Sequence, residues 1–303
     1  MRLIYFGTGA FALPALRALA PHIVLVVTQP DRPTGRGMRL QPAPAKVLAQ
    51  ELGLAVESPE KTRAPEFVAR LRELEADALV VASYGQILST AVLESARRGG
   101  INLHGSILPE YRGAAPIQRC ILDGRTETGI TLMQMDRGMD TGDAIEIVRT
   151  PIGLDETYGE LQDRLALIAA EMAVDWMPRI VVGQYERTPQ DSSLATVAPK
   201  IEKAEAELSF GRPAEEEYNR FRAFTPAPGP FIRTSSGVLR MHTARLAEGS
   251  GEPGTVLAVS PEPVVAFSGG ALRLLEVQPE GKRRMSGRDW ANGSRLKVGD
   301  RFL

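Results

Sequence analysis

Leu3-Ile4-Tyr5-Phe6-Gly7-Thr8-Gly9-Ala10-Phe11-Ala12 runs from an apolar strand-like segment through two glycines into the first residues of a helical pattern. A buried strand that enters a helix through a glycine turn is the unit from which parallel sheets are built. Outward from it the same alternation repeats. Strand-like runs recur at 23–27, 78–83 and 101–103, with helical patterns at 11–19, 45–52, 67–74 and 91–97. The expected result is a mainly parallel α/β sheet made of right-handed crossovers, with ligands beyond the carboxyl ends of its strands. Two more strands are expected at 128–135 and 144–148, then a long buried helix at 157–182. The Gly-x-Gly-x-x-Ala spacing fits a phosphate cradle at a helix N-terminus and equally a tight turn with no ligand. A nicotinamide-binding site would want an acidic residue closing the second strand, yet Asp31 stands behind Pro30.

Beyond the long helix the pattern changes. Residues 183–203 are polar and proline-bearing, and short strand candidates follow at 231–234, 238–243, 255–259, 264–267 and 272–277 after a helix at 214–222. Close-spaced short strands with turn residues between them suggest a small barrel of the oligonucleotide-binding (OB) type. The expected fold is therefore α/β: a Rossmann-like, mainly parallel sheet domain over 1–188, a linker over 189–206, and a small OB-like β-barrel over 207–303.

Composition narrows the function classes. With 43% hydrophobic residues in 303, the chain can bury a full core, which excludes intrinsic disorder. The 36 basic and 37 acidic residues leave a net charge of -1, so no global field draws it to nucleic acid or an anionic membrane. The average hides a split: residues 207–303 carry 14 basic and 11 acidic side chains, net +3, and the remainder is net -4. Cys120 is the single cysteine and reads as a core residue, so no internal disulfide forms and a reducing cytoplasm is expected. No signal peptide or uncharged membrane-length run is visible. With three histidines, one cysteine and no H-E-x-x-H, no metal site is expected. Arginine outnumbers lysine 30 to 6.

The densest chemistry lies at Ile101-Asn102-Leu103-His104-Gly105-Ser106-Ile107-Leu108-Pro109. Asn102 and His104 are two apart on a strand, so their side chains share one face. An amide and an imidazole side by side can both donate to one developing oxyanion, as acyl or formyl transfer requires. An isolated pair of this kind can also merely cap a strand end. A second element bears on that choice: Asp136-Arg137-Gly138-Met139-Asp140-Thr141-Gly142-Asp143 is a tight acidic loop, able to bring a carboxylate to His104 and favour its imidazolium. A calcium loop is excluded by spacing.

These residues resemble the folate-dependent formyltransferases. The family's Asn, His and Asp stand here as Asn102, His104 and Asp140, with the Ser-x-Leu-Pro segment at 106–109. Further matches run nearly end to end: Thr28-Gln29-Pro30-Asp31-Arg32-Pro33 with Gly35-Arg36-Gly37, Ala198-Pro199-Lys200-Ile201, Arg222-Ala223-Phe224 and Leu275-Glu276-Val277-Gln278-Pro279. The resemblance implies transfer of the formyl group of 10-formyltetrahydrofolate, without a metal, to the α-amino group of methionine esterified to initiator tRNA, for translation initiation. Asn102, His104 and Asp140 would be catalytic. Ser106, Ile107, Leu108, Pro109, Tyr84, Gln86 and Leu88 would line the folate site. Gly9-Ala10, Thr225 and Ala227 depart from the family pattern.

For tRNA the implied contacts are Arg32, Arg36 and Arg39 in the basic loop at 30–41, with Lys200 and, on the barrel, Lys282, Arg283 and Arg284. Arginines among glycines and prolines suit an RNA acceptor end, where guanidinium groups contact phosphates and stack on bases. A monomer with no membrane partner is expected. The alternative within the family is a formyltransferase acting on an amino sugar nucleotide.

Overall fold

Three neighbouring segments, Leu-Ile-Tyr-Phe-Gly, Ile-Val-Leu-Val-Val and Ala-Leu-Val-Val-Ala, are almost wholly buried, as strands covered on both faces must be. In the computed structural model, which describes residues 1–34 and 39–302 and only the backbone of Thr34 and Arg39, they form the centre of a seven-stranded sheet. The chain runs β1 (Leu3–Gly7), α1 (Leu13–Leu19), β2 (Ile23–Val27), β3 (Arg32–Thr34), β4 (Arg39–Gln41), α2 (Pro44–Glu51), β5 (Val56–Glu57), α3 (Pro65–Glu73), β6 (Ala78–Ala82) and α4 (Thr90–Leu93). It continues through β7 (Gly100–His104), β8 (Arg112–Gly113), α5 (Pro116–Leu122), β9 (Glu127–Gln134), β10 (Ala144–Pro151), α6 (Tyr158–Val182) and β11 (Val197–Ala198). Strand order is β10-β9-β7-β6-β1-β2-β5. From β5 to β7 neighbours are parallel, and β9 joins β7 antiparallel.

Local chemistry explains the helix starts. Pro44 and Pro65 occupy the first helical position of α2 and α3, where a missing N–H costs nothing. The expected helix at 91–97 stops after Leu93, and further along Arg97 N–H donates to Ala76 O and Arg98 N–H to Asp77 O, in the loop before β6. The helix α6 is amphipathic rather than buried. Leu165, Met172, Met177 and Ile180 face inward, while Leu167, Val174 and Val182 are exposed.

By chain contacts the molecule divides into two units. The first holds Met1–Pro116, Glu127–Thr150 and Gln162–Pro199; the second holds Ile117–Thr126, Pro151–Leu161 and Lys200–Leu303. In the second, α7 (Ala214–Phe224) precedes β12 (Phe231–Thr234), β13 (Gly237–Ala247), β14 (Val256–Ala258), β15 (Val264–Phe267), β16 (Gly270–Pro279), β17 (Met285–Ser286) and α8 (Gly287–Ser294). An antiparallel sheet ordered β12-β13-β16-β15-β14, with β17 also on β16, forms the small OB-like domain. Bulges between Met241 and Ala244 bend β13, as a curved sheet needs. Its core joins Phe210, Tyr218, Phe221, Phe267, Trp290 and Phe302. At the departures from the family pattern, Gln118 Nε2 donates to Ala223 O and Ala227 O, and Thr225 Oγ1 caps Phe221 O.

Candidate active site

Strand order reverses between β1 and β6, since the chain builds β2 and β5 on one side of β1 and β6 and β7 on the other. Such a reversal opens a crevice at the carboxyl ends of the strands, because successive connections leave in opposite directions. Gly7, Ala82 and His104 end the three strands concerned. Across the reversal Thr8 Oγ1 donates to Tyr84 O at 2.8 Å. The glycine turn accounts for itself sterically: a Cβ on Gly7 would lie 2.7 Å from the Tyr5 ring and 2.8 Å from Ala12 Cβ, and Tyr5 Oη donates to Ala12 O at 2.6 Å. The tight turn accounts for Gly7, while a Cβ on Gly9 would meet only Ser83 Oγ at 3.8 Å.

Asn102 and His104 leave the last turn of β7 on one face, paired in register with Met133 and Thr131 of β9. Both are buried. His104 Nε2 lies 3.0 Å from the main-chain carbonyl of Tyr111, and a carbonyl only accepts, so that nitrogen carries hydrogen. The other nitrogen, Nδ1, faces Asp140 Oδ2 at 3.6 Å. Asn102 Nδ2 donates to Asp140 Oδ1 at 3.3 Å, and Gly113 N–H donates to Oδ2 at 2.9 Å. One carboxylate therefore gathers an amide, a main-chain donor and the free nitrogen of an imidazole.

The acidic loop that carries Asp140 is closed by its own side chains. Asp136 accepts from Gly138 N–H and from Thr141 Oγ1. A side chain at Gly142 would strike Gln134 O at 1.9 Å, so only glycine lets the loop return to the strand. Asp140 itself adopts the left-handed region at φ 55°.

Ser106, Leu108 and the intermediate Ile107 and Pro109 form the turn that follows His104. Ser106 Oγ donates to Glu110 O at 2.6 Å. Thr131, which the sequence reading passed over, fastens this turn: its hydroxyl donates to Ser106 O at 2.7 Å and accepts from Leu108 N–H at 3.0 Å. Its only signal in the sequence is a polar residue inside an apolar strand. Tyr84 and Leu88, expected to line the folate site, are buried in the apolar cluster with Phe6, Phe67 and Leu71. Burial pushes the Tyr84 hydroxyl up from its ordinary pKa. Gln86 instead reaches Gln29, donating to its Oε1 at 3.3 Å.

The expected RNA contacts lie in several places. Arg32 is exposed and donates to Gln29 Oε1 at 3.4 Å. Arg36 and the Arg39 side chain lie outside the described residues. Lys200, Lys282, Arg283 and Arg284 are exposed, with Arg284 bonded to Glu276. Among the described residues no group of three His, Cys, Asp or Glu side chains gathers as a metal site, and no helix is long and apolar enough to cross a membrane.

Residues 3–180 match the Formyl transferase family and residues 200–295 match its C-terminal domain. The methionyl-tRNA formyltransferase of Symbiobacterium thermophilum is 46% identical over 310 residues, spanning all of this chain and 95% of the relative. That of Geobacter metallireducens is 43% identical over 306 residues, spanning all of this chain and 98% of the relative. Among solved structures, an N-formyltransferase from Helicobacter canadensis in complex with folinic acid and dTDP-3-aminofucose superposes with a TM-score of 0.67. It is 17% identical and covers 90% of this chain and 98% of its own. HypX from Aquifex aeolicus, in complex with tetrahydrofolic acid, gives 0.64 at 15% identity over 98% of this chain and 48% of its own. At those identities the likeness is one of fold. The family matches over both parts of the chain, together with full-length relatives above 40% identity, make this protein a member of the formyl transferase family.

Proposed function

We propose that this chain transfers the formyl group of 10-formyltetrahydrofolate to the α-amino group of methionyl initiator tRNA. The observation that carries the reading is the convergence of Asn102, His104 and Asp140 at the strand ends of a chain that is 43–46% identical, over its whole length, to proteins named for that reaction. The amine nitrogen attacks the formyl carbon, and the carbonyl oxygen becomes an oxyanion. Asn102 and His104, both buried at the end of β7, stabilise it, and each such donor lowers the barrier by a few kcal/mol. As the bond from the formyl carbon to N10 breaks, the proton lost by the attacking amine passes to N10, with Asp140 and His104 as the relay. The products are formylmethionyl-tRNA and tetrahydrofolate, so atoms and charge balance.

In this reading residues 1–188 perform the transfer and residues 207–303 hold the tRNA. The Ser106–Pro109 turn and the 84–88 and 136–142 loops receive the folate. The basic segment at 30–41, with Arg36, approaches the acceptor end, and Lys282 and Arg283 meet the RNA backbone. A direct experiment incubates the purified protein and 10-formyltetrahydrofolate with methionyl initiator tRNA, glycinamide ribonucleotide or an amino sugar nucleotide in separate arms. Formylation of the tRNA alone is expected; turnover of only the sugar nucleotide overturns the reading.

A further inference from the structure

The segment that reads in sequence as a linker is fastened across both loops of the site. Thr188 and Ala144 exchange main-chain hydrogen bonds at 2.8 and 2.9 Å, and further along Thr196 accepts from Tyr111 N–H through its hydroxyl and from Arg112 N–H through its carbonyl. Between these two staples lies Gln190. Its Nε2 donates to the main-chain carbonyls of Asp140 at 2.9 Å and Gly142 at 2.6 Å. Its Oε1 accepts from Arg112 Nε at 3.1 Å and Nη2 at 2.7 Å. The Arg112 side chain is buried, so its charge polarises the amide and strengthens both donated bonds. The residue after Arg112 is Gly113, whose N–H holds the Asp140 carboxylate.

We infer that Gln190 is a positioning residue that acts through Asp140. Left-handed backbone is sparsely populated for residues other than glycine and persists where the surroundings over-determine it. At Asp140 the backbone is held by Gln190 and the carboxylate by Gly113 and Asn102, which together aim Oδ2 at His104 Nδ1. Without the two amide bonds the main chain at Asp140 relaxes and the 3.6 Å approach to His104 opens. A displacement of about 1 Å in such a pair costs up to roughly 100-fold in rate. Arg112 is the outer member of the same arrangement, fixing which end of the Gln190 amide faces the loop.

This inference rests on the proposed role of Asp140, and the test separates the two. Formylation kinetics are measured on the full chain for Gln190→Ala, Gln190→Glu and Asp140→Asn, with thermal midpoints alongside. Gln190→Glu keeps the acceptor for Arg112 but loses both donors, so it serves if the alanine variant fails to fold. Both Gln190 variants are expected to lose about 10- to 100-fold in kcat, with KM for folate and tRNA within about threefold. The ascending limb of kcat against pH is expected to move by about half a unit or more, which loss of packing alone would not cause. Wild-type kcat in Asp140→Asn overturns the catalytic reading itself. An inactive Asp140→Asn together with wild-type kcat and pH profile in the Gln190 variants overturns only the positioning role, as does a loss confined to KM or thermal midpoint.

Discussion

Nδ1 of His104 stands 3.6 Å from Oδ2 of Asp140, while the opposite ring nitrogen is committed to the carbonyl of Tyr111. The ring is thereby oriented by the main chain, with Nδ1 turned toward the carboxylate. A hydrogen bond from Asn102 to the same carboxylate links the two strand residues into one unit.

If that unit performs the transfer, Asp140→Asn keeps the shape but removes the carboxylate beside His104 Nδ1. We expect kcat to fall about 10²- to 10⁴-fold with folate binding retained. Asn102→Ala is expected to cost about 10²- to 10³-fold through the lost oxyanion donor. Single-turnover formylation of methionyl-tRNA, with folate affinity measured in parallel, checks both.

Thr131→Val is nearly isosteric but leaves Leu108 N–H and Ser106 O without their bonds at a buried position. A loss of about 1–3 kcal/mol is expected in urea unfolding. Because the turn at 106–109 is loosened, KM for 10-formyltetrahydrofolate should rise more than KM for tRNA. Equal changes in both would argue against a folate-facing role for this turn.

Lys282 and Arg283 are exposed in the turn between β16 and β17, whereas Arg284 is engaged by Glu276. Replacing the first two with alanine should weaken tRNA binding at low salt and reduce the slope of log affinity against log salt by about 1 to 2, leaving folate binding unchanged. Arg36→Ala should raise KM for tRNA and not for folate.

Acid stability provides a fourth test. Hydrogen bonds from Arg119, at 2.7 and 3.0 Å, hold the Glu205 carboxyl below its ordinary pKa, with its burial opposing. A carboxyl lowered in the folded state binds fewer protons there than when unfolded at mildly acid pH. Its contribution is complete above the ordinary carboxylate range and is lost as pH falls through the lowered value. Arg119→Ala should therefore destabilise the protein at neutral pH and flatten the acid limb of its denaturation midpoint. A parallel limb at every pH would show that the pair contributes nothing through linkage.

The reach of sequence reasoning differs from residue to residue. Asn102 and His104 were legible because a strand's period of two puts them on one face whatever surrounds it. The alternation of apolar strands and helices likewise dictated the parallel sheet, since strands buried on both faces leave no polar positions to misread. The length of α4 was not legible: residues 94–97 have helical spacing, but the N–H groups of Arg97 and Arg98 are claimed by the loop before β6. Nor was the direction of Tyr84 and Leu88, which sit beside a loop in the chain and in the core in space.

By itself, then, the sequence determined the two kinds of sheet, the split of charge between them, and the shared face of Asn102 and His104, whereas Asp140 was singled out in its acidic loop by the family resemblance alone. The first three follow from local periodicity and residue chemistry. Only the tertiary structure decided which nitrogen of His104 meets Asp140, that Thr131 locks the turn beyond it, and that Gln190 of an apparent linker holds the Asp140 backbone. Those relations join residues 25 to 50 positions apart in the chain, and no local pattern encodes a hydrogen bond made across such a distance.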